Sequence, residues 1–589
     1  MKRIIRLSIC LLVIVTSLSW KTKKLPNTSE SQNILNDTII PLNLKQDFGA
    51  KGLGISSVND DTHALENAIT SLQNGGILFI PPGTYAYNGP GLMVPDGVEI
   101  YGNGNSSEIW SVNPAGNAND TNKLNGVIFF TSKYIGFALF KGNHKETAYP
   151  IKKVTNGDTV VTSDTSVNFT LFKAGDLCMV VDGLTERNND TSQRYYPFGE
   201  MNEVISAGPN KVTLKFPVSF TSMQQSSSKI IRLNTGKTSP WGGDQRIAKN
   251  VSIHDLKLTQ AKKNEYRDSV FPNNTSMNTV LKGGAFNSKF YNLTISAVSS
   301  FPDGNLFTRC VLNNITVKAH RKLLDLGYNS AFDTIKNINW MYDTPGVNIA
   351  DKTTSFSFID QGTHDIIFDS INITGRFKAT DSVWNGNNLI LLGGNASNIS
   401  FNHHSFSLPG YSTTQYNILN FTDDTDFAVI RNISILNSDF QFAKARYFID
   451  GDGYSCRDDR NINLSGVTYS GAVDRRFNFV NFGKIVYNGH DQGNCPSNLV
   501  KASTIASSRN EIIVKPNPIT SQAVISLTNK NIIKTLKVYD MQGRMRFYSN
   551  RPTASFTLSK SLLHNTTGIF VVKIVSAERE EFVSKFKVE

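Results

Sequence analysis

From 266 to 510 the chain has no glutamate. Acid–base chemistry in that stretch therefore falls to aspartate, histidine, lysine and arginine. His320, Arg321 and Lys322 stand side by side with Asp325 close behind; Asp343 follows, then Arg376, Lys378, Asp381 and Trp384, then His403 and His404, then Lys444 and Arg446. Imidazole, ammonium and guanidinium groups suit two tasks on an acidic sugar. One is removing the proton α to a carboxylate, and the other is neutralising that carboxylate as charge builds on it. We take His320, Arg321, Lys322, Asp325 and Asp343 as candidate catalytic residues, and Arg376, Lys378, Asp381, Trp384, His403 and His404 as candidate substrate contacts. Hydrolysis would need two carboxyls flanking the glycosidic bond; these could come from Asp325, Asp343, Asp360, Asp365 and Asp381. Trp340 and Trp384 offer indole faces to a pyranose ring. The run Gln361-Gly362-Thr363-His364-Asp365 either does chemistry or pairs its own His364 with Asp365. Asp423, Asp424 and Asp426 leave room for a calcium ion; otherwise no metal site and no cofactor is expected.

Residues so far apart in number act together only if the fold stacks them. An imperfect repeat does that. A polar residue, usually Asn, leads an alternating strand at Asn250, Asn292, Asn314, Asn337, Ser370, Asn398, Asn432 and Asn461, with later units 22 to 34 residues apart. That period fits solenoid coils and is too short for propeller blades of about 40–50 residues. Apolar residues at alternate positions point into the coil and Ser, Thr and Asn point out. Asn at a turn suits left-handed backbone geometry and side-chain ladders between coils. Coils stack about 4.8 Å apart, so equivalent positions form columns. The repeat predicts a cationic strip along the turn after each strand, running from His320 through Asp343, Arg376 and His403 to Lys444.

The segment before the repeat reads Asp47-Phe48-Gly49-Ala50-Lys51-Gly52, then Asn59-Asp60-Asp61-Thr62, a helical stretch from Ala64 to Ser71, and Gly75-Gly76. A strand at Ile77-Leu78-Phe79-Ile80 and the turn Pro81-Pro82-Gly83-Thr84-Tyr85 follow, then a strand pair from Leu92 to Tyr101 that closes at Gly102-Asn103-Gly104. Ala64, Leu65, Ala68, Ile69 and Leu72 share one helical face, and Asp60 or Asp61 can cap the helix start with Thr62 assisting. This pattern resembles the N-terminal cap of the pectate-lyase-like superfamily of single-stranded right-handed β-helices. The resemblance implies an all-β right-handed parallel β-helix and an extracellular polysaccharide but no one reaction: the superfamily holds lyases, hydrolases, epimerases and phage depolymerases. The Gly-His-Gly and Arg-Ile-Lys motifs of polygalacturonases are missing, and so is a calcium cluster of pectate-lyase type.

Residues from about 145 to 235 break the rhythm. Glu203-Val204-Ile205 and Lys211-Val212-Thr213-Leu214 alternate like strands of a small antiparallel unit, an insertion that could wall a cleft. Tyr195-Tyr196-Pro197-Phe198-Gly199-Glu200 reads as an aromatic loop for sugar stacking or for local packing.

The far end is separate. A polar linker over about 496–510 precedes Lys515-Pro516-Asn517-Pro518, Val538-Tyr539-Asp540-Met541-Gln542-Gly543-Arg544, Gly568-Ile569-Phe570-Val571-Val572-Lys573-Ile574 and a closing Phe586-Lys587-Val588. These motifs resemble the sorting domain of the type IX secretion system of Bacteroidota. The resemblance implies a small β-sandwich recognised by the export machinery. Lys2, Arg3 and Arg6 before an apolar run to Ser19 read as a secretory signal, so the mature protein is expected outside the cell, via the periplasm, without stable membrane insertion. The expected layout is signal peptide 1–20, linker 21–40, β-helix 41–495 (cap 41–110, coils 250–495), linker 496–510 and sorting domain 511–589. The net charge of +12 suits an acidic glycan; no nucleic-acid recognition motif is present. Cys178, Cys310, Cys456 and Cys495 survive signal removal, and the last two could pair. The expected protein is a monomeric polysaccharide lyase or glycoside hydrolase; a non-catalytic glycan-binding β-helix is the alternative, since fold does not decide function.

Overall fold

The computed structural model describes residues 40–54, 60–111, 127–132, 146–164, 168–182, 198–221, 228–236, 246–260, 280–301, 303–322, 324–327, 329–343, 357–359, 362–376, 389–393, 396–412, 417–422, 430–452, 461–480, 482, 485–492, 512–515, 519–527, 532–540, 545–550, 553–563, 566–576 and 581–589. Parallel strands wind from Leu42–Asn43 to Ile485–Tyr487 as a parallel β-helix, with the right-handed crossovers that such strands take.

The helix Thr62–Ser71 seals the first coils by burying Leu65, Ala68 and Ile69. Its acidic pair is structural. Asp60 Oδ1 accepts from the Thr62 amide at 2.9 Å, while the buried Asp61 carboxylate accepts from the amides of Lys51 at 2.7 Å and Gly52 at 3.2 Å.

The long strands Lys289–Ser300, Val311–Lys322, Thr334–Asp343 and His364–Arg376 stack in register. One inward row runs Leu258, Ile295, Val317, Trp340, Ile373, Phe406 and Phe440. Phe368 stacks on Phe401 at 4.7 Å and Phe406 on Phe440 at 4.6 Å, since equal side chains one coil apart sit at ring-stacking distance. Burying each such side chain contributes about 1.5–3 kcal/mol, so inward rows of this kind hold the coils together.

Each coil bends at left-handed residues, and the structure corrects the repeat here. The Asn-led series is two series five residues apart. The first corner holds Asn250, Asn287, Arg309, Phe332, Asp365, Asn398, Asn432 and Asn461; the second holds Asp255, Asn292, Asn314, Asn337, Ser370, His403 and Asn437. Both corners need positive φ, which Asn tolerates better than most residues, so both attract it and the series merge by eye. Ladders form at each. At the first corner the Asn432 amide donates to Asn398 Oδ1 at 2.8 Å and Asn461 to Asn432 at 3.0 Å; at the second, Asn314 donates to Asn292 at 2.8 Å.

The insertion is a six-stranded antiparallel sheet in the order Ala148–Pro150, Ser228–Arg232, Leu177–Asp182, Phe198–Ala207, Lys211–Leu214, Val160–Thr162. One of its cores is shared with the solenoid: Met179, Met201 and Ile231 pack with Phe286 and Leu306. Toward the C-terminus, a three-stranded sheet (Ile512–Lys515, Gln522–Leu527, Ser555–Ser559) and a four-stranded sheet (Met545–Ser549, Ile533–Asp540, Gly568–Ser576, Glu581–Val588) enclose a buried set including Ile525, Val538, Val572 and Phe586.

Candidate active site

Five of the expected site residues, His320, Arg321, Lys322, Asp343 and Arg376, lie at the ends of long strands and not in turns. Val311–Lys322 carries His320, Arg321 and Lys322; Thr334–Asp343 ends on Asp343; His364–Arg376 ends on Arg376. Asp343 is paired with Arg376 across adjacent coils. Ala319 is paired with Tyr342, so His320 holds the register position next to Asp343. Backbone register thus brings His320, Asp343 and Arg376 into one column at the strand ends. Lys322 pairs with Ser300, and Asp325 belongs to the next strand row, beside Asp303 and Phe358.

The face leading to this ledge is polar. Thr294, Thr316, Asn339, Asn372 and Ser405 form one outward column, and the Asn372 amide donates to Asn339 Oδ1 at 3.2 Å. Ser296, Lys318, Met341, Thr374 and Ser407 form the next. Such a carpet of hydroxyls and amides at the coil pitch can hydrogen-bond a sugar chain.

Other expected contacts fall elsewhere. Thr374 pairs with Ser407, so the column of Arg376 runs past His403 and His404, which sit back at the second corner. His403 is exposed and lies 2.9 Å from Asp369 Oδ1 through Nδ1. His404 is 4% exposed, with Phe401 and Phe406 at 5.6 and 6.2 Å; burial pushes its pKa down to about 4. It faces the interior and cannot reach a substrate on the outer face. Trp340 is 1% exposed in the inward row, so its indole serves the core rather than a sugar. Lys378, Asp381 and Trp384 lie outside the described residues, as do Tyr195, Asp360, Asp423, Asp424, Asp426, Cys456 and Cys495. Cys178 and Cys310 are free, buried thiols.

A second cluster of ionisable groups lies where the insertion docks. Phe286, Thr308, Ala331 and His364 follow one another coil by coil and face the inserted sheet. His364 is fully buried; its Nδ1 is 2.7 Å from Asp365 Oδ2 and its Nε2 is 3.1 Å from the Gly199 carbonyl oxygen. The Phe198 ring lies 4.6 Å from the imidazole. So the end of the aromatic loop packs locally, and His364 with Asp365 satisfy each other while tying the insertion down.

Sequence reading missed Glu200 and Arg309. Glu200 is fully buried and accepts from the Ser219 hydroxyl and amide; burial raises its pKa against the opposing pull of His364, Ser219 and Arg309. The Arg309 guanidinium lies 3.8 Å from the Phe216 ring centre and 4.2 Å from that of Phe332. Burial lowers its pKa, countered by Glu200, Asp333 and Asp365. Inside the coil, Asp333 is 1% exposed and accepts from the Cys310 amide at 2.8 Å; burial holds its carboxyl well above the usual range. One signal was legible: Arg309 and Phe332 interrupt an Asn column at corners with φ of 58° and 60°. Arg and Phe there give up the amide ladder and take on backbone strain, which the stacking of Arg309 between Phe216 of the insertion and Phe332 offsets.

Residues 42–179 match the family model described as rhamnogalacturonase A/epimerase, pectate lyase-like, and residues 514–589 match that of the secretion system C-terminal sorting domain. The first coils thus match a pectate-lyase-like model, and the far end matches a sorting domain. The sorting domain directs the protein through the type IX system to the cell surface or beyond. Among the described residues no helix is long and apolar enough to cross a membrane. No curated protein matches the sequence. Solved structures with a similar trace include the tailspike protein gp49 from Pseudomonas phage LKA1, with 13% identity, TM-score 0.41 and coverage of 93% of this chain and 98% of that one. Another is the endo-xylogalacturonan hydrolase from Aspergillus tubingensis, with 13% identity, TM-score 0.32 and coverage of 76% and 96%. A third is PfbA, a surface adhesin of Streptococcus pneumoniae, with 10% identity, TM-score 0.33 and coverage of 76% and 91%.

Proposed function

We propose that this secreted protein depolymerises an acidic polysaccharide by β-elimination on the ledge that carries His320, Asp343 and Arg376. The observation that carries this reading is the register pairing of Asp343 with Arg376 beside the position of His320. The column holds one imidazole, one carboxyl and one guanidinium. Hydrolysis asks for two carboxyls across the bond, and Asp325, the other acid nearby in sequence, belongs to a different strand row. Elimination asks for a base and a cation, which this set contains.

In the proposed step Arg376 neutralises the uronate carboxylate and so acidifies the C–H bond α to it. His320 takes that proton. The freed electron pair forms the new C=C bond, the glycosidic C–O bond breaks, and the departing sugar oxygen takes up a proton. The net charge of +12 favours capture of a polyanion, and the family description, which names a rhamnogalacturonase and an epimerase, supports carbohydrate as the substrate class. The test is incubation with polygalacturonate, alginate and sulfated galactan, followed by ultraviolet absorbance of unsaturated uronates and by reducing ends. Absorbance that falls at least about 100-fold in His320→Ala is expected. Reducing ends without absorbance would replace elimination by hydrolysis, and neither signal would leave a glycan binder.

A further inference from the structure

We infer that the crevice between the insertion and the first full coil is a second carbohydrate site, one that takes a neutral pyranose. It has a volume of about 290 Å³ and is lined by Asp96 from the solenoid start, Asp176, Leu177 and Leu233 from the inserted sheet, and Arg246 and Lys249 where the chain re-enters the solenoid. None of these belongs to the ledge.

The walls are preformed. Asn234 is tied to Ile247 by two bonds, its amide donating to the carbonyl at 3.0 Å and its Oδ1 accepting from the amide at 2.8 Å. The Lys249 ammonium donates to the Gly175 carbonyl at 2.6 Å, and the Lys249 amide donates to Asp96 Oδ1 at 3.1 Å. A site whose parts are already fixed loses little entropy on binding.

The lining chooses the chemistry of its occupant. Among the described lining residues two carboxylates, Asp96 and Asp176, stand against two cations, and both cations are already paired: Arg246 with Asp96 at 3.2 Å and Lys249 with Glu203 at 3.1 Å. Yet the Arg246 guanidinium has five N–H groups and each carboxylate several lone pairs, so donors and acceptors line the crevice together with Leu177 and Leu233. A pyranose combines hydroxyls at its edge with C–H groups on its face. The volume, which on the order of ten waters would fill, admits one sugar ring and part of a second.

Saturation-transfer NMR on the full chain with galactose, glucose and rhamnose, and with galacturonate as the charged control, tests the site. We expect transfer to at least one neutral sugar, and at least tenfold weaker binding in Arg246→Ala. Galacturonate should bind no tighter than galactose. Should Arg246→Ala fail to fold, Asp96→Asn opens the same ion pair while keeping an oxygen for the Lys249 amide. No transfer from any neutral sugar, equal transfer in the variant that folds, or preference for galacturonate would overturn the proposal. Polymer cleavage depends on the ledge and not on this crevice, so the two readings fail separately.

Discussion

Replacing Arg309 should loosen the inserted sheet before it unfolds the solenoid. Its guanidinium lies 3.8 Å and 4.2 Å from two ring centres, one in the insertion and one in the next coil. Partly desolvated cation–π contacts contribute about 1–2 kcal/mol each, so Arg309→Ala should cost about 2–3 kcal/mol. Arg309→Asn should cost about 1 kcal/mol less, because Asn holds positive φ more readily than Ala. Phe216→Ala removes the insertion's half of the sandwich, and in a double-mutant cycle it should couple to Arg309→Ala by about 1 kcal/mol. Thermal melting gives the stabilities, and limited proteolysis of the inserted sheet shows where the loss falls. Two results would refute the reasoning. Additivity within about 0.3–0.5 kcal/mol would mean that the rings do not hold the cation. Equal stability of the Asn and Ala variants would mean that the corner stores no strain.

Three further outcomes follow from the same geometry. Trp340→Ala empties a buried place in the inward row and should cost about 3–5 kcal/mol, read as a lower urea midpoint. Asn432→Ala deletes two rungs of a ladder at a left-handed corner and should cost about 1–2 kcal/mol by the same measurement. His404, with its pKa held down to about 4 by burial, stays neutral in the fold, while the unfolded chain takes up a proton below about 6.5. The unfolded state therefore binds more protons between those values. The stability tied to neutral His404 is intact above about pH 6.5 and lost as pH falls toward 4, by up to about 3 kcal/mol. His404→Leu should flatten that part of the stability–pH curve; an unchanged slope would place the proton uptake elsewhere.

Much of the fold was legible because a solenoid repeats its physics. Alternating apolar positions such as Ile315 and Val317 recur at each coil, and the cap motif around Asp60 and Asp61 has few structural alternatives. The corners were legible as a residue type but not as a count, since Asn292 and Asn398 satisfy the same backbone demand at different bends. The site was less legible. Alternation cannot tell where a strand ends, so His320 and Arg376 were read as turn residues when they continue strands. Nor could it reveal that His404, next to the exposed His403, turns inward. Glu200 and Arg309 were hidden for another reason: they meet across more than a hundred residues of sequence, and neither lies in a recurring pattern except as an interruption.

That interruption bears on how the ledge is held. Arg309, Phe332 and His364 stand at or just before the starts of Val311–Lys322, Thr334–Asp343 and His364–Arg376, the three strands whose far ends bear His320, Asp343 and Arg376. A slip of one residue in a strand turns every side chain to the opposite face, so a column of catalytic groups at the ends requires the register to be fixed. The inward row fixes it along the length, and the docked insertion pins the starts through Phe216 on Arg309 and the Gly199 carbonyl on His364. An Asn ladder would bind coil to coil but would hold nothing outside the solenoid. By giving up two rungs of it, the chain lets the inserted sheet clamp the three coils on which the proposed chemistry depends.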